Sequence, residues 1–117
     1  MDYRINYCIL RTMNANFIEI VRDNLSNFIT APKLLVIFGS RGCSACEYVK
    51  PKLKEVSELL PMAYVEVGMC PRSVLLYPNK ITEYPTFAYF ERGYFKAKVN
   101  YHTVWFDIEK IIKDEYL

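Results

Sequence analysis

The chain has 117 residues, of which 52% are hydrophobic and 24% are charged. This balance is typical of a folded globular protein, and the length suits a single domain over residues 1–117. The formal net charge is +2, and the basic residues are scattered among acidic ones instead of forming a stripe. We therefore expect a monomer that does not bind nucleic acid.

The N-terminal residues carry Asp2, Arg4 and Arg11 and lack the apolar core of a signal peptide. The longest tight apolar cluster, Leu34 to Phe38, is far too short to span a bilayer. We therefore expect a cytoplasmic protein without a membrane partner. In that reducing compartment the four cysteines are not expected to form structural disulfides, and a Cys-x-x-Cys pair indicates redox activity or metal binding.

The first half of the chain predicts alternating strands and helices. Residues 3–10 are rich in β-formers and predict a strand, after which Asn14 or Asn16 can cap a helix. The apolar face of that helix would consist of Phe17, Val21, Leu25 and Phe28. The continuous apolar run over residues 34–38 then predicts a strand that is buried on both faces of a parallel sheet.

A second helix is predicted to start near Cys43, after a tight loop. Its apolar face would consist of Val49, Leu53, Val56 and Leu60. Pro51 lies inside this helix, where it removes a backbone hydrogen bond and kinks the axis at a cost of roughly 3 kcal/mol. Residues 62–67 predict the next strand, and residues 68–78 predict a short helical turn.

The second half closes with a predicted hairpin, residues 86–91 and 94–99, around the turn Arg92-Gly93. The last strand alternates, with Phe95, Ala97 and Val99 expected on one face and Tyr94, Lys96 and Lys98 on the other. Thr103 can cap a final helix. The order βαβαβαββα predicts an α/β fold of three layers, in which helices cover both faces of a central mixed sheet.

Cys43 and Cys46 lie where a buried parallel strand turns into a helix, which is where open α/β sheets collect their chemistry. A helix amino terminus stabilises the thiolate, which is the nucleophile in disulfide exchange. Cys46 falls one turn deeper and is more shielded. The spacing therefore predicts an exposed attacking thiol, Cys43, and a buried resolving thiol, Cys46.

A Cys-x-x-Cys pair also begins many zinc sites, but structural zinc needs four ligands. The other candidates, Cys8, Cys70 and His102, are far apart in the sequence and contain no second pair. We therefore expect neither a metal nor a bound cofactor. Cys70 precedes Pro71 near the same sheet edge, where it is either a third reactive thiol or a small packed residue.

Two segments of the chain resemble the thioredoxin family, over nearly its whole length. LLVIFGSRGCSACEYVKPKLKEVSELL is similar to the family's strand, Cys-x-x-Cys loop and kinked helix, with Pro51 at the family's proline position. ITEYPTFAYFERGYFKAKVN is similar to its loop and closing hairpin, with Tyr84-Pro85 at the place of the cis-proline that faces the disulfide. The resemblance implies a thioredoxin fold. A cis Pro85 would bring the backbone of Tyr84 beside Cys43, where it can pair with an extended substrate segment.

The chain departs from the thioredoxin pattern at four positions, one of which is Asn100, where the family has a glycine after the last strand. Gly42 stands where thioredoxins have tryptophan, Ile37 where they have a buried acid, and Tyr64 where they have lysine. The proton relay that helps to deprotonate the resolving thiol is therefore absent or rebuilt. We expect Arg41, Gly42, Tyr84 and Pro85 to contact the substrate.

Glutaredoxins, a sister family, also lack the buried acid and often carry a basic residue near the first cysteine, as Arg41 is here. They usually have a glycine pair followed by an acidic residue after the hairpin, however, and Lys98-Val99-Asn100-Tyr101 contains none. We therefore favour a divergent thioredoxin. A glutathione-dependent reductase, or a non-catalytic module that binds proteins through Tyr84-Pro85, remains the alternative.

The resulting hypothesis is an electron-transfer enzyme, a protein disulfide reductase that acts on disulfide-containing protein substrates. Cys43 would attack, and Cys46 would resolve the mixed disulfide. Electrons would come from a flavoprotein reductase or from glutathione.

Overall fold

The structure is a computed structural model that describes residues 16–99 together with residues 110, 113 and 114. The strand predicted over residues 3–10 lies outside the described residues, as do Cys8 and His102. So does the predicted final helix, apart from Lys110, Lys113 and Asp114, which are helical. None of the helices in the described part of the chain is long and apolar enough to cross a membrane.

Five strands form one mixed sheet with the order β1-β3-β2-β4-β5. They are β1 (Phe17–Ile20), β2 (Leu34–Gly39), β3 (Met62–Glu66), β4 (Thr86–Glu91) and β5 (Tyr94–Val99). β1 and β2 run parallel to β3 on its two sides, and β4 is antiparallel to both β2 and β5. The expected sheet, with parallel strands first and an antiparallel hairpin last, is confirmed.

Helices and turns cover both faces of this sheet. Helix α1 (Ser44–Val56) contains Pro51, and helix α2 (Pro71–Val74) is a single short turn. Two 3-10 turns, Leu25–Asn27 and Val67–Met69, complete the connections. α1 ends four residues before Leu60, where the predicted helix ended, and Leu60 is buried beyond its end.

The core is divided between the two faces. The α1-side core is the buried cluster Phe17, Leu35, Ile37, Cys46, Val49, Leu53, Leu60, Met62, Tyr64, Phe87, Tyr89 and Val99. The α2-side core is the buried cluster Ile20, Leu25, Ile29, Ala31, Leu34, Val36, Phe38, Ala63, Val65, Cys70, Tyr77, Ala88 and Phe90. Neighbouring residues of β2 alternate between the two clusters, as they must in a strand buried on both faces. The three-layer α/β/α arrangement is thus confirmed.

The helix predicted to carry Phe17, Val21, Leu25 and Phe28 on one face is wrong. Phe17–Ile20 is a strand, and its partner is β3, with Phe17 opposite Met62. Phe17 and Ile20 are buried on opposite faces of the sheet, whereas Val21 is exposed. The two β-branched residues of this segment favour a strand, and spacing alone does not separate strand from helix over so few residues.

The alternation expected in β5 is also partly wrong. Tyr89 is opposite Ala97 but Phe90 is opposite Phe95, so a β-bulge leaves Lys96 as the extra residue of β5. A bulge shifts the facing of the side chains by one residue. Phe95 therefore packs against the α2-side core, while Val99 belongs to the α1-side core.

Candidate active site

Cys43 is the N-cap of α1, at the carboxyl end of β2. Its backbone is extended, and its sulfur accepts a hydrogen bond from the amide of Cys46 at 3.1 Å. The first four amides of a helix have no hydrogen-bond partner within the helix. A sulfur in this position therefore accepts a hydrogen bond from one of them and lies at the positive end of the helix dipole. This geometry favours a thiolate on Cys43 in the reduced protein.

Cys46 lies within the first turn of α1 and is joined to Cys43 by a disulfide, with the two Cα atoms 5.2 Å apart. The two residues differ in exposure. Cys46 is fully buried in the α1-side core, whereas Cys43 is partly exposed at its edge. A reagent in solution therefore reaches Cys43 before Cys46.

The loop that precedes β4 reaches the same place from the other side. The Tyr84–Pro85 peptide bond is cis, and the Tyr84 carbonyl oxygen lies 3.7 Å from the Cys43 sulfur. Pro85 is buried and Tyr84 is exposed. The structure thus brings together a thiol pair and a loop 41 residues away.

Arg41 and Gly42, the other two residues expected to bind substrate, lie in the loop just before Cys43. The Arg41 side chain is 87% exposed, and its Nε is 3.6 Å from a carboxylate oxygen of Glu66. Gly42 has φ +79°, a left-handed conformation that favours glycine, and nothing lies within 4 Å of the place where a Cβ would be. The space beside Cys43 is therefore open on this side.

Ile37 and Tyr64 stand where the thioredoxin pattern has a buried acid and a lysine. They lie opposite each other in the paired strands β2 and β3. Ile37 is fully buried in the α1-side core together with Cys46. Among the described residues no Asp, Glu, Lys or Arg is buried; the buried polar residues are Ser57, Ser73 and Thr86. The interior next to the resolving thiol therefore lacks the acid and lysine of the thioredoxin pattern.

Tyr64 instead reaches toward the loop that precedes Cys43. Its hydroxyl occupies the position that a Cβ at Gly39 would need, so only glycine fits there. Lys50 of α1 lies with its Nζ 4.4 Å from the centre of the Tyr64 ring and 3.0 Å from a carboxylate oxygen of Glu19. Sequence reasoning missed this arrangement, because its residues lie on three separate elements.

The Tyr64 hydroxyl stays protonated at any physiological pH. Burial, and then the carboxylates of Glu47, Glu66 and Glu19, raise the pKa of Tyr64 to about 12. Tyr64 is thus a hydrogen-bonding group beside the loop and is not an acid for neutral-pH chemistry.

Cys70 is buried on the opposite face, in the α2-side core, and its thiol donates to the Ile20 carbonyl at 3.2 Å. Burial raises the pKa of this thiol and outweighs a hydrogen bond from the backbone of Asp23, which lowers it; the negative charges of Asp23 and Glu66 raise it further. These surroundings disfavour a thiolate and fit a packed residue. Within the described residues, no group of three or more His, Cys, Asp or Glu side chains is placed to hold a metal ion.

No family model and no curated protein matches the chain in sequence. Its fold is nevertheless similar to solved structures. Human ERp44 in its zinc-bound form aligns with a TM-score of 0.70 and 17% identity, over 84% of this chain and 30% of that one. The J-Trx1 fragment of ERdj5 aligns with a TM-score of 0.66 and 21% identity, over 85% of this chain and 51% of that one. Schistosoma mansoni thioredoxin aligns with a TM-score of 0.69 and 24% identity, over 88% of this chain and 97% of that one.

The chain therefore spans less than a third of ERp44 and about half of the ERdj5 fragment, but almost the whole length of the thioredoxin. At these identities the likeness is one of fold. The chain has the thioredoxin fold, with a Cys-x-x-Cys pair joined as a disulfide.

Proposed function

We propose that this thioredoxin-fold protein is a thiol-disulfide oxidoreductase that reduces disulfides in other proteins. The observation that carries the proposal is the asymmetry of the pair. The Cys43 sulfur is partly exposed and accepts a helix amide, while Cys46 is buried one turn away within disulfide reach. Disulfide exchange needs such an asymmetry, with one thiolate that meets the substrate and a second thiol that meets the intermediate.

The reaction transfers two electrons to the substrate. The Cys43 thiolate attacks one sulfur of the substrate disulfide, which forms a mixed disulfide and releases the first substrate thiol. Cys46, as a thiolate, then attacks the Cys43 sulfur and releases the second substrate thiol, which leaves the Cys43–Cys46 disulfide. A flavoprotein reductase or glutathione returns the pair to the dithiol. The cytosol is the compartment in which we place this cycle, because its thiol pools keep such a pair reduced.

The loop at Tyr84 gives the substrate a second point of contact. An extended segment that carries the target cysteine can pair with the backbone of Tyr84, whose carbonyl is 3.7 Å from the attacking sulfur. Buried Pro85 holds that backbone in place, and the open space at Gly42 leaves room on the other side of Cys43. Arg41 is exposed at the rim, where it can meet the polar groups of a substrate.

Trapping of the intermediate tests this proposal. In the Cys46→Ser protein the second step is removed, so mixed disulfides with substrate proteins should accumulate through Cys43. Trapped species are separated on a non-reducing gel, and their linked peptides are identified by mass spectrometry.

The matched control is Cys43→Ser, which keeps one thiol of the pair but only the shielded one. It should trap at least about tenfold less, because the remaining thiol is buried. Trapping through Cys46 or Cys70, or the absence of trapped species in both variants, would defeat the mechanism.

A further inference from the structure

A small pocket opens beside the loop that carries Cys43, and the proposed reaction does not use it. Its volume is about 150 Å³, and its lining includes Arg41, Gly42, Glu47, Lys50, Tyr64 and Glu66. A water molecule takes up about 30 Å³ in the liquid, so the space suits one side-chain head group. It is smaller than the several hundred Å³ typical of cofactor and drug sites.

The pocket contains a polar group without a protein partner. Tyr64 is only 6% exposed, and its hydroxyl forms no hydrogen bond with any residue in the described range 16–99. Buried phenol hydroxyls normally find a partner, because an unsatisfied polar group costs free energy. The hydroxyl therefore indicates a site where a hydrogen-bonding group from outside the chain can bind.

The charges around the Tyr64 hydroxyl indicate whether the group that binds there is positive or negative. Lys50 is paired with Glu19 at 3.0 Å, and Arg41 is loosely paired with Glu66 at 3.6 Å. The side-chain carboxylate of Glu47 forms no ion pair or hydrogen bond within the described residues. Three carboxylates thus surround the hydroxyl against two cations, so the local field favours a cation.

The position of the pocket relates it to the substrate. Gly42 lines it and is the residue immediately before Cys43, and the amide of Glu47 donates to the Cys43 carbonyl at 3.2 Å. Residues of an extended segment are spaced about 3.3 Å apart, so a side chain one or two residues from the attacked cysteine lies beside the residues that flank Cys43.

We propose that this pocket receives a lysine or arginine side chain of the substrate protein, located within two residues of the cysteine that Cys43 attacks. The ammonium or guanidinium group donates to the Glu47 carboxylate and to the oxygen of Tyr64. The inference rests on the proposed disulfide reductase activity and adds a substrate class to it.

Matched peptide disulfides test the pocket. Each peptide carries Lys, Gln or Glu at one position from two residues before to two residues after the target cysteine, and the rate constant for reduction by the reduced protein is measured. At the best position the Lys peptide should react about three- to fivefold faster than the Gln peptide, and the Glu peptide more slowly. All peptides meet the same thiolate, so the Lys/Gln ratio does not depend on the reactivity of Cys43. The net charge of +2 would by itself slow the basic peptide.

Two variants separate the pocket from general electrostatics. Glu47→Gln should bring the Lys/Gln ratio close to one. Glu55→Gln makes the same change at an exposed position of the same helix, outside the pocket lining, and should leave the ratio unchanged. A ratio of one in the parent protein, or equal effects of the two variants, would overturn the inference while peptide reduction stands. If no peptide is reduced at all, the proposed function itself fails, and the inference fails with it.

Discussion

Helices α1 and α2 both begin at a cysteine, and the two cysteines lie in opposite surroundings. Cys43 caps α1 with its sulfur, which accepts the amide of Cys46 at 3.1 Å. Cys70 occupies the same position before α2, but its side chain caps nothing. Instead, its thiol donates a hydrogen bond to the backbone carbonyl of Ile20 within the α2-side core.

The difference comes from a carboxylate supplied by another element. Asp23 lies in the connection after β1. Its carboxylate accepts hydrogen bonds from the backbone amides of Arg72 and Ser73 at 2.9 and 2.6 Å. These are the first free donors of α2, so neither of these two amides is available to the sulfur of Cys70. A helix terminus activates a cysteine only where its amides face the sulfur. Where a carboxylate takes them, it adds a negative charge that disfavours the thiolate.

The largest expected difference is in alkylation. In the reduced native protein, iodoacetamide should modify Cys43 at least about a thousandfold faster than Cys70. Cys70 is fully buried and reacts only when the fold opens, and opening costs several kcal/mol. Peptide mass spectrometry over time gives both rates. In a denaturant that unfolds the chain, the two rates should approach each other. Comparable rates in the native protein would contradict the comparison.

A pair of strand substitutions compares the two cores. Ile37 and Val36 are fully buried neighbours of β2 that face the α1-side core and the α2-side core respectively. Ile37→Asp and Val36→Asp should each lower the free energy of unfolding by at least about 3 kcal/mol at neutral pH, because both positions are fully buried and no Lys or Arg is buried among the described residues to pair with a carboxylate. Thermal unfolding measures both losses.

The pH dependence of these variants has a definite sign. Burial raises the pKa of such a carboxyl above its unfolded value of about 3.9, so the penalty is smallest below that pH and grows as the pH rises. Variants that do not fold at neutral pH should therefore recover near pH 4. If Ile37→Asp is much better tolerated than Val36→Asp, the face around Cys46 holds a polar partner, and the proton relay is rebuilt there.

Much of the site followed from the sequence because its signals are local. The apolar run before Cys43 predicts a buried strand, and the helical pattern after it predicts the helix start that the structure places at Ser44. The strand that follows Tyr84-Pro85 pairs with the strand before Cys43, which brings the two motifs to one edge of the sheet.

The features that sequence reasoning missed depend on contacts between distant residues. Tyr64 fills the space above Gly39, 25 residues away in the sequence, and no pattern at either position shows this. Asp23 lies 49 and 50 residues before the amides that it accepts. The four-residue strand at Phe17 is too short for its periodicity to separate strand from helix, and pairing with β3 decides it.

The smallest expected effect concerns Asp23, whose carboxylate binds the free amides of α2 beside Cys70. Desolvation raises the pKa of this carboxyl, but the hydrogen bonds from Arg72 and Ser73 together outweigh it and leave the pKa lowered. A lowered pKa means that the stabilisation is present above the unfolded value of about 3.9 and is lost as the pH falls through the folded value. Asp23→Asn keeps an oxygen acceptor without the charge. Its melting temperature should therefore be slightly below that of the parent protein at pH 7, and the gap should close in the acid range.

Asp23→Ala removes the acceptor as well, so its melting temperature should fall further than that of Asp23→Asn at every pH. Alkylation of Cys70 should accelerate in Asp23→Ala relative to the parent protein, because the less stable fold opens more often and Cys70 is fully buried when it is closed. Alkylation of Cys43 should stay unchanged, because Cys43 is partly exposed and reacts without opening. An acid-independent gap for Asp23→Asn would mean that the charge of Asp23 does not stabilise the fold. An unchanged rate at Cys70 in Asp23→Ala would mean that Asp23 does not help to keep closed the part of the fold that buries Cys70.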